Sequence, residues 1–288
     1  MSKLATTSNG EIQRSTKPAA TLIGLLEQLK PQMALALPKH LNGERMARLV
    51  LTALRTTRDL ATCTPESFAA SIMGCAALGL EPNTQLGLAY LIPRRNKRNG
   101  GKMECTMQLG YQGMIDLARR SGMVSSIQAF PVFSGDEFRY SLGLDPTLYH
   151  VPCGEDDAAR MSHAYGVCRL KDGDPIFVVL TKRQIEARRA RGGAGDSFSP
   201  WKTDYVPMAQ KTAIRALYTW MPRSAEMARA EAIEVAQETG RSVIAELPEQ
   251  ASAALLGVGI RDVTGDGEII EDDYGETAEP MREPGQEG

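Results

Sequence analysis

The chain is 288 residues long, 42% apolar and 24% charged, an ordinary globular composition with room for one large domain or two small ones. Its formal charge of −2 conceals an asymmetry that is typical of nucleic-acid-binding proteins: residues 1 to 225 carry +10, and the segment from Glu226 onward carries −12. Because no apolar run approaches the length of a membrane span and no signal-peptide pattern opens the sequence, we expect a reduced, cytoplasmic protein without a membrane partner.

Composition along the chain predicts one folded domain between two tails. Residues 1 to 19 are rich in Ser, Thr, Lys and Ala, which predicts a flexible N-terminal tail. Helical and strand patterns fill residues 20 to 245, which we interpret as a single α+β domain. From residue 246 to residue 288 acidic residues, Gly and Pro dominate and aromatic residues are scarce, which predicts an acidic, largely disordered tail.

Three helices are predicted before the first strand. A leucine pattern predicts a helix from Leu22 to about Pro38, and a second helix begins near Asn42. Four arginines form a stripe on the second helix: Arg45, Arg48, Arg55 and Arg58. We interpret this stripe as a solvated face in preference to a contact with DNA or with a neighbouring subunit. The third helix begins with Thr64 as its N-cap and ends at Gly79, where the left-handed conformation suits glycine.

A basic hairpin follows the third helix. Residues 103 to 109 alternate between apolar and polar side chains, the pattern of a strand with one buried face. The turn before this strand contains Asn99-Gly100-Gly101, which permits the positive φ of a tight reversal. Its cations are Arg94, Arg95, Lys97, Arg98 and Lys102. Taken alone, the hairpin is equally consistent with binding a polyanion such as a phosphate backbone and with a solvated tip.

The helix predicted from Tyr111 to Ser121 ends with two arginines, Arg119 and Arg120, before Gly122. Cations in the last turn complement the helix dipole, and they could instead share in phosphate binding. Both interpretations stay open for this pair.

The middle of the chain predicts antiparallel strands joined by turns. The strands are Val124 to Phe133, Glu137 to Leu142, Ser162 to Leu170 and Pro175 to Leu180. Between the second and third strands, residues 145 to 160 contain two prolines and a glycine and predict a long loop.

The last predicted helices are basic at first and apolar later. The helix from Lys182 to Arg191 has only Ile185 and alanines to bury, so an anion would help it form. Residues 192 to 195 predict a mobile glycine linker. Helices from Val206 to Met221 and from Ser224 to Gly240 follow.

Motifs for other chemistry are missing from the sequence. The only Gly-Lys pair, at Gly101-Lys102, lacks the glycine and the hydroxyl residue of a phosphate-binding loop, so no ATP site is expected. No lysine has an acidic residue two positions before it, the spacing of many DNA nucleases. A two-metal nuclease built from Asp136, Glu137 and Asp145 stays an alternative, although Asp-Glu in a turn is more often only turn chemistry. We expect no catalytic residues and no enzyme activity.

A metal site is also not expected. The residues tested for zinc are His150, Cys153, His163 and Cys168. His163 and Cys168 lie five apart in a predicted strand, so their side chains point to opposite faces. No cofactor is therefore required, and Mg²⁺ at most modulates DNA binding.

Three motifs together resemble the RecT family of phage and prophage single-strand DNA annealing proteins. The motifs are QLGYQGMIDLARRSG at residues 108–122, GDEFRYSLG at 135–143 and MAQKTAIRAL at 208–217. They occur in the family's order within residues 20 to 225, and YLIPR precedes the basic turn. The resemblance implies an α+β fold in which an antiparallel sheet and packed helices form a basic groove for DNA. It also implies a bacterial cytoplasmic setting of phage or prophage origin.

The resemblance further implies ATP-independent annealing of complementary strands in recombination and repair, by a homo-oligomer in the form of a ring or helical filament. Implied partners are single-stranded DNA, the annealed duplex intermediate, a phage exonuclease and the host single-strand-binding protein. Two rival interpretations remain: a metal-dependent nuclease and a structural phage protein with an incidental basic face.

The predicted DNA-binding residues combine the basic segments with two aromatic residues. They are Arg94, Arg95, Lys97, Arg98, Lys102, Tyr111, Arg119, Arg120, Lys182, Arg183, Arg188, Trp201, Lys202, Lys211, Thr212 and Arg215. Tyr111 and Trp201 would stack on bases, a contact worth about 1–3 kcal/mol per base. Packing at a strand–helix corner is an equally good interpretation of Tyr111. For Trp201 the polar, basic and glycine-rich neighbours favour stacking.

Overall fold

The computed structural model describes a set of ranges that covers most of the chain: 18–38, 41–191, 200–239, 241–257 and 259–260. The predicted N-terminal tail up to residue 17, the glycine linker and residues 261–288 of the predicted acidic tail lie outside the described residues. Within those ranges the protein has several helices and antiparallel sheets, which confirms the predicted α+β class.

Three N-terminal helices form one side of the main core. They are α1 (Pro18–Ala36), α2 (Gly43–Thr56) and α3 (Pro65–Leu78). The predicted caps of α3 are confirmed: the Thr64 side chain accepts a hydrogen bond from Ser67 N, and Gly79 ends the helix with φ +62°. Almost every α3 side chain is buried, because the helix packs against α1 on one side and a strand on the other.

The basic hairpin is an antiparallel ribbon of β1 (Ala89–Asn96) and β2 (Lys102–Leu109). One face of the ribbon contains Leu91 and Met107, which are buried in the main core. The Ser71 hydroxyl of α3 donates a hydrogen bond of 2.8 Å to Cys105 O, so the inward face is also fixed by a buried polar contact. The ribbon is therefore a firmly anchored element with one free face.

Helix α4 (Tyr111–Arg120) starts where β2 ends, and the segment before β1 lies directly on this junction. Gly110 N donates to Leu88 O at 2.9 Å. A Cβ atom on Gly110 would lie 1.9 Å from Gly87 O, so only glycine allows this approach of two backbones. The junction fixes the direction in which α4 leaves the ribbon.

A second sheet has the strand order β3–β6–β7, all antiparallel. Its strands are β3 (Val124–Phe133), β6 (Met161–Leu170) and β7 (Ile176–Thr181), in agreement with three of the predicted strands. A separate ribbon pairs β4 (Glu137–Ser141) with β5 (Thr147–Val151). The prediction of a loop over residues 145 to 160 is therefore wrong, because residues 147–151 complete a hairpin with β4.

The later helices cover the second sheet and the core. They are α5 (Lys182–Arg191), α6 (Pro200–Thr203), α7 (Tyr205–Tyr218) and α8 (Ala225–Thr239). Helix α7 lies on β6 and β3, and Gly166 is the point of closest approach: a Cβ there would be 3.2 Å from Ala213 O. In the described part of the chain, no helix combines the length and the apolarity needed to cross a bilayer.

A final helix, α9 (Glu249–Gly257), corrects the predicted end of the folded region. It packs against α1 and α3, and Ala251 and Leu255 are fully buried in the main core. The disordered tail predicted from residue 246 is therefore wrong as far as Ile260, which is itself buried. Residues 246–260 contain only two acidic residues, but grouping them with the strongly acidic residues 261–288 hid the two apolar positions one helical turn apart.

Candidate nucleic-acid interface

The turn of the β1–β2 hairpin presents all five predicted cations, Arg94, Arg95, Lys97, Arg98 and Lys102, as exposed residues. Glu104 is the single acidic residue between Ala89 and Leu109. Its two carboxylate oxygens each accept a hydrogen bond of 2.8 Å, one from the amide of Asn96 and one from the amide of Asn99. The acid is thus held by neutral donors, and the positive charge of the turn dominates its surface.

Two hairpin arginines have contacts that orient them. Arg94 Nη2 donates to Gln108 Oε1 at 2.9 Å across the outer face of the ribbon. Arg98 Nη1 donates to Thr239 O at the end of α8. A polar groove of about 260 Å³ lies between the turn and residues 241–244. It is lined on the turn side by Asn96, Asn99, Lys102 and Glu104.

The cations of α7 lie beside the other end of the ribbon. Arg215 Nη2 contacts Glu234 Oε2 of α8 at 3.1 Å, and Arg215 Nη1 donates to Leu109 O at 3.5 Å. Burial lowers the pKa of Lys211, and the neighbouring charge of Arg215 lowers it further. An anion between the two side chains would relieve the repulsion between their positive charges. Lys211 and Arg215 therefore stay predicted phosphate contacts.

Thr212 does not face the surface with this pair. Its side chain is 9% exposed and its hydroxyl donates to Met208 O at 2.8 Å, inside α7. This placement corrects the prediction of a DNA contact at Thr212, because a phosphate cannot reach a hydroxyl that is buried and already bonded within its own helix.

The two arginines at the end of α4 have different surroundings. Arg120 Nη1 donates to Leu78 O at 2.7 Å and Arg120 Nη2 to Gly79 O at 2.9 Å, and the guanidinium also pairs with Asp116. It therefore caps the carbonyl end of α3, a stabilising position for a cation. Arg120 therefore complements the dipole of α3 and not that of its own helix, and its share in phosphate binding stays a prediction. Arg119 is exposed.

The basic helix α5 is better held by packing than the sequence suggests. Ile185 is fully buried in a second apolar cluster with Phe133, Met161 and Leu180. Lys182 Nζ donates to Ala159 O at 2.7 Å, which fixes that ammonium to the chain before β6. The remaining predicted contacts of this helix are exposed Arg183 and half-buried Arg188.

Tyr111 lies as the packing interpretation expects, and Trp201 has an aromatic partner within the chain. Tyr111 is half-buried and packs on the main core. Trp201 is half-buried against Tyr205, with ring centroids 5.8 Å apart, and the Arg189 guanidinium lies 5.9 Å over its ring. Lys202 beside it is exposed. Both aromatic rings are therefore partly occupied by packing within the chain.

The tryptophan that the sequence analysis missed is Trp220, which is 70% exposed after the last turn of α7. Ile214, Leu217 and Met221 define the buried side of this stretch. Position 220 lies three residues after Leu217 and seven after buried Ala213, so helical periodicity would place it on the buried side. Its exposure follows from the end of α7 at Tyr218, which no local pattern in the sequence indicated.

The basic segments belong to two packing units. The β1–β2 hairpin packs on α3 and α8, and Arg215 connects α7 to the end of β2. Helix α5 packs on β7, β6 and α7. The contacts thus place the α7 pair at the end of the ribbon opposite its basic turn, and a continuous basic groove through the hairpin, α7 and α5 stays a prediction.

The two histidines considered as zinc ligands lie in an aromatic cluster, whereas Cys168 is buried in the main core and Cys153 is exposed. His150 Nε2 is 3.0 Å from Asp136 Oδ2 and its Nδ1 is 3.2 Å from the Tyr165 hydroxyl. His163 packs on Phe138, with ring centroids 5.5 Å apart. Among the residues that the structure describes, no three His, Cys, Asp or Glu side chains form a group that could hold a metal ion.

Comparisons with known sequences found a family model and relatives that match most of the chain. The sequence model of the RecT family matches residues 44–246. The chain is 44% identical to Protein RecT of Escherichia coli (strain K12) over 229 residues, which are 77% of this chain and 84% of that protein. It is 30% identical to the uncharacterized protein YqaK of Bacillus subtilis (strain 168) over 204 residues, 68% of each chain.

Proposed function

Because the chain belongs to the RecT family and is a recombination protein of that family, we propose that it binds single-stranded DNA and anneals complementary strands without ATP. The observation that carries the proposal is the anchored β1–β2 hairpin with five exposed cations in residues 94–102. Phosphate backbones are the polyanions that such a cluster binds, and the binding releases counterions.

The physical requirement of annealing fits this hairpin. Two single strands repel each other through their phosphates, and pairing needs their base edges to stay free. Side chains that contact phosphates remove the repulsion without reading bases. The buried inner face of the ribbon fixes the backbone that carries the cations. Little conformational freedom of the chain is therefore lost on binding.

The proposed interface consists of the hairpin cations, the α7 pair and the exposed cations of α4 and α5. Its members are Arg94, Arg95, Lys97, Arg98, Lys102, Arg119, Arg183, Arg188, Lys202, Lys211 and Arg215. The protein would act as a homo-oligomer along the strand, with a phage exonuclease and the host single-strand-binding protein as partners. It would work in the bacterial cytoplasm and need no cofactor, with Mg²⁺ at most modulating DNA binding.

The test is annealing of two complementary labelled oligonucleotides by the purified protein at physiological salt, without nucleotide and with EDTA. We expect duplex to form faster than in buffer and both strands to stay intact. Release of nucleotides in Mg²⁺ that EDTA abolishes would favour the nuclease interpretation instead. If annealing with the protein is no faster than in buffer under any condition, the proposal is contradicted. That result would favour a structural protein with an incidental basic face.

A further inference from the structure

The β4–β5 hairpin exposes apolar side chains where the β1–β2 hairpin exposes cations. Leu144 is fully exposed and Leu142 is 71% exposed, on either side of Gly143 at the tip. Tyr140, Tyr149 and Val151 are also exposed along the two strands. A groove of about 600 Å³, lined in part by Phe130, Leu148, Tyr165 and Phe177, separates the tip from the face of the second sheet.

This apolar surface is rigid. Asp136 is 1% exposed; one oxygen accepts hydrogen bonds from Phe133 N and His150 Nε2, and the other accepts one from Cys153 N. Phe138 stacks on Tyr165 of β6, with centroids 5.8 Å apart and the rings inclined by 20°. The base of the hairpin is thus locked to the second sheet, and the exposed tip is held in one orientation without contributing to the core.

The area of the patch is on the scale of a protein–protein contact. Tyr140 shares the groove side of the ribbon with Leu148, whereas Tyr149 and Val151 lie on the opposite side with Arg139 and Glu137. The patch therefore consists of Leu142, Leu144 and Tyr140, whose exposed parts amount to about 300–400 Å², comparable to the largest patch on a typical monomer. A standard interface buries about 800 Å² on each partner, so this patch and the groove lining would form the apolar centre of such a contact.

The charge of the hairpin segment indicates which kind of partner binds its apolar surface. Residues 134–160 contain six acidic and two basic residues, a net charge of −4, whereas residues 1–260 as a whole carry +6. An acidic segment repels a phosphate backbone and attracts the positively charged body of another copy of this chain. That body also has exposed apolar side chains to receive the leucines, among them Leu35, Leu86 and Trp220.

We propose that the β4–β5 hairpin docks on a second copy of this chain, with Leu142 and Leu144 as its anchors. The inference rests on the proposed function in one respect, since it supplies the contact for the proposed homo-oligomer. The contact is heterologous: the hairpin of one protomer meets a different surface of the next, which is the geometry that produces rings or open filaments.

The test compares the full chain with the double variant Leu142→Ser/Leu144→Ser. Sedimentation velocity without DNA measures the assembly, and a fluorescent oligonucleotide of a few nucleotides measures binding to a single protomer. We expect the variant to need at least about a hundredfold higher concentration for half assembly, because two anchors lose their burial. Both leucines are exposed in the protomer, so thermal unfolding should be unchanged when it is measured at a concentration at which both chains are monomeric. The matched control Leu142→Met/Leu144→Met keeps the apolar surface and should assemble like the unmodified chain.

The outcomes separate this inference from the proposed function. Unchanged assembly of the serine variant, or an unmodified chain that is monomeric at every concentration, overturns the inference. Loss of short-oligonucleotide binding in the folded serine variant also overturns it, because the hairpin would then belong to the DNA site. A chain that assembles through the leucines and fails to bind DNA supports the inference and contradicts the proposed function.

Discussion

The two antiparallel ribbons of this protein are alike in backbone and opposite in exposed chemistry. The β1–β2 ribbon buries one face against α3 and presents Arg95, Lys97 and Arg98 at its turn. The β4–β5 ribbon is held at its base by Asp136 and presents Leu142 and Leu144 at its turn. A backbone motif alone therefore says little about function.

The difference teaches that the anchor and the tip of a hairpin are separate features. Anchoring uses buried apolar residues in the first ribbon and a buried hydrogen-bonded carboxylate in the second. The tips are free to carry the chemistry of their partners, which we propose to be DNA for one and a second protomer for the other. The predictions below test this division, from the largest expected effect to the smallest.

The first prediction breaks the backbone junction at Gly110, where the basic ribbon meets α4. The substitution Gly110→Ala places a Cβ atom 1.9 Å from Gly87 O, so the backbone must move. We expect a loss of at least about 3 kcal/mol in the free energy of unfolding, measured by urea titration. The control is Gly24→Ala in α1, where a Cβ meets nothing within 4 Å. It should stabilise the protein by about 0.5–1 kcal/mol. Similar results for both variants would contradict the tight junction.

The second prediction breaks the anchor of the apolar ribbon. Burial alone would raise the pKa of Asp136, but the N–H groups of Phe133 and Cys153 and the His150 ring donate to its oxygens and hold its pKa well below the usual range. The substitution Asp136→Asn puts an amide donor opposite these donors. We expect a loss of about 2–3 kcal/mol at pH 7. Glu137→Gln, on an exposed neighbour, should change stability by less than about 0.5 kcal/mol.

The pH dependence of this effect has a definite sign. The folded-state pKa of Asp136 is lower than its unfolded value near 3.9, so its contribution to stability is complete above about pH 4 and is lost as the pH falls further. The difference in unfolding free energy between the unmodified chain and Asp136→Asn should therefore shrink below about pH 4. A constant difference down to pH 2 would show that the carboxylate charge is not what the anchor uses.

The third prediction concerns the basic tip. The double substitution Arg95→Gln/Lys97→Gln removes two exposed cations without touching the buried face. We expect affinity for single-stranded DNA to fall on the order of tenfold near 0.1 M salt, and the slope of log K against log salt to flatten by about 1.4. Fluorescence anisotropy over a salt series measures both. Arg48→Gln/Arg55→Gln on α2 is the matched control, and an equal loss there would indicate a nonspecific effect of net charge.

The fourth and smallest effect is expected from the cation of the apolar ribbon. Arg139 is exposed, pairs with Glu137 and lies 5.4 Å over the Tyr149 ring. If DNA contacts only the basic ribbon, Arg139→Gln should leave the DNA affinity and its salt slope unchanged within error. A loss as large as that of the third prediction would place both ribbons in one DNA site and remove the division between them.

The parts of the fold that the sequence predicted are those with local causes. Thr64 and Gly79 bound α3 because capping and positive φ depend on the residue itself. The alternation of residues 103–109 located β2, since its one buried face lies on α3. The strand at residues 147–151 was not predicted. Its alternating pattern is only five residues long, and Pro146 and the polar residues around it indicated a loop.

The candidate site was predictable in composition and less so in arrangement. The exposed hairpin cations follow from the turn sequence. The burial of Thr212 and the contact of Arg120 with Leu78 O depend on neighbours distant in sequence, which no local pattern reveals. The partial burial of Trp201 against Tyr205 and the exposure of Trp220 have the same cause, since tertiary packing decides which ring is covered.

The position of α9 decides how the acidic end of the chain can be studied. Leu255 fills part of the interior between α1 and α3, so a protein shortened at residue 246 would open a cavity there and lose about 2–5 kcal/mol from that side chain alone. Any change in DNA binding would then report a damaged interior. Shortening after Ile260 removes a segment with ten acidic and two basic residues and leaves that helix in place.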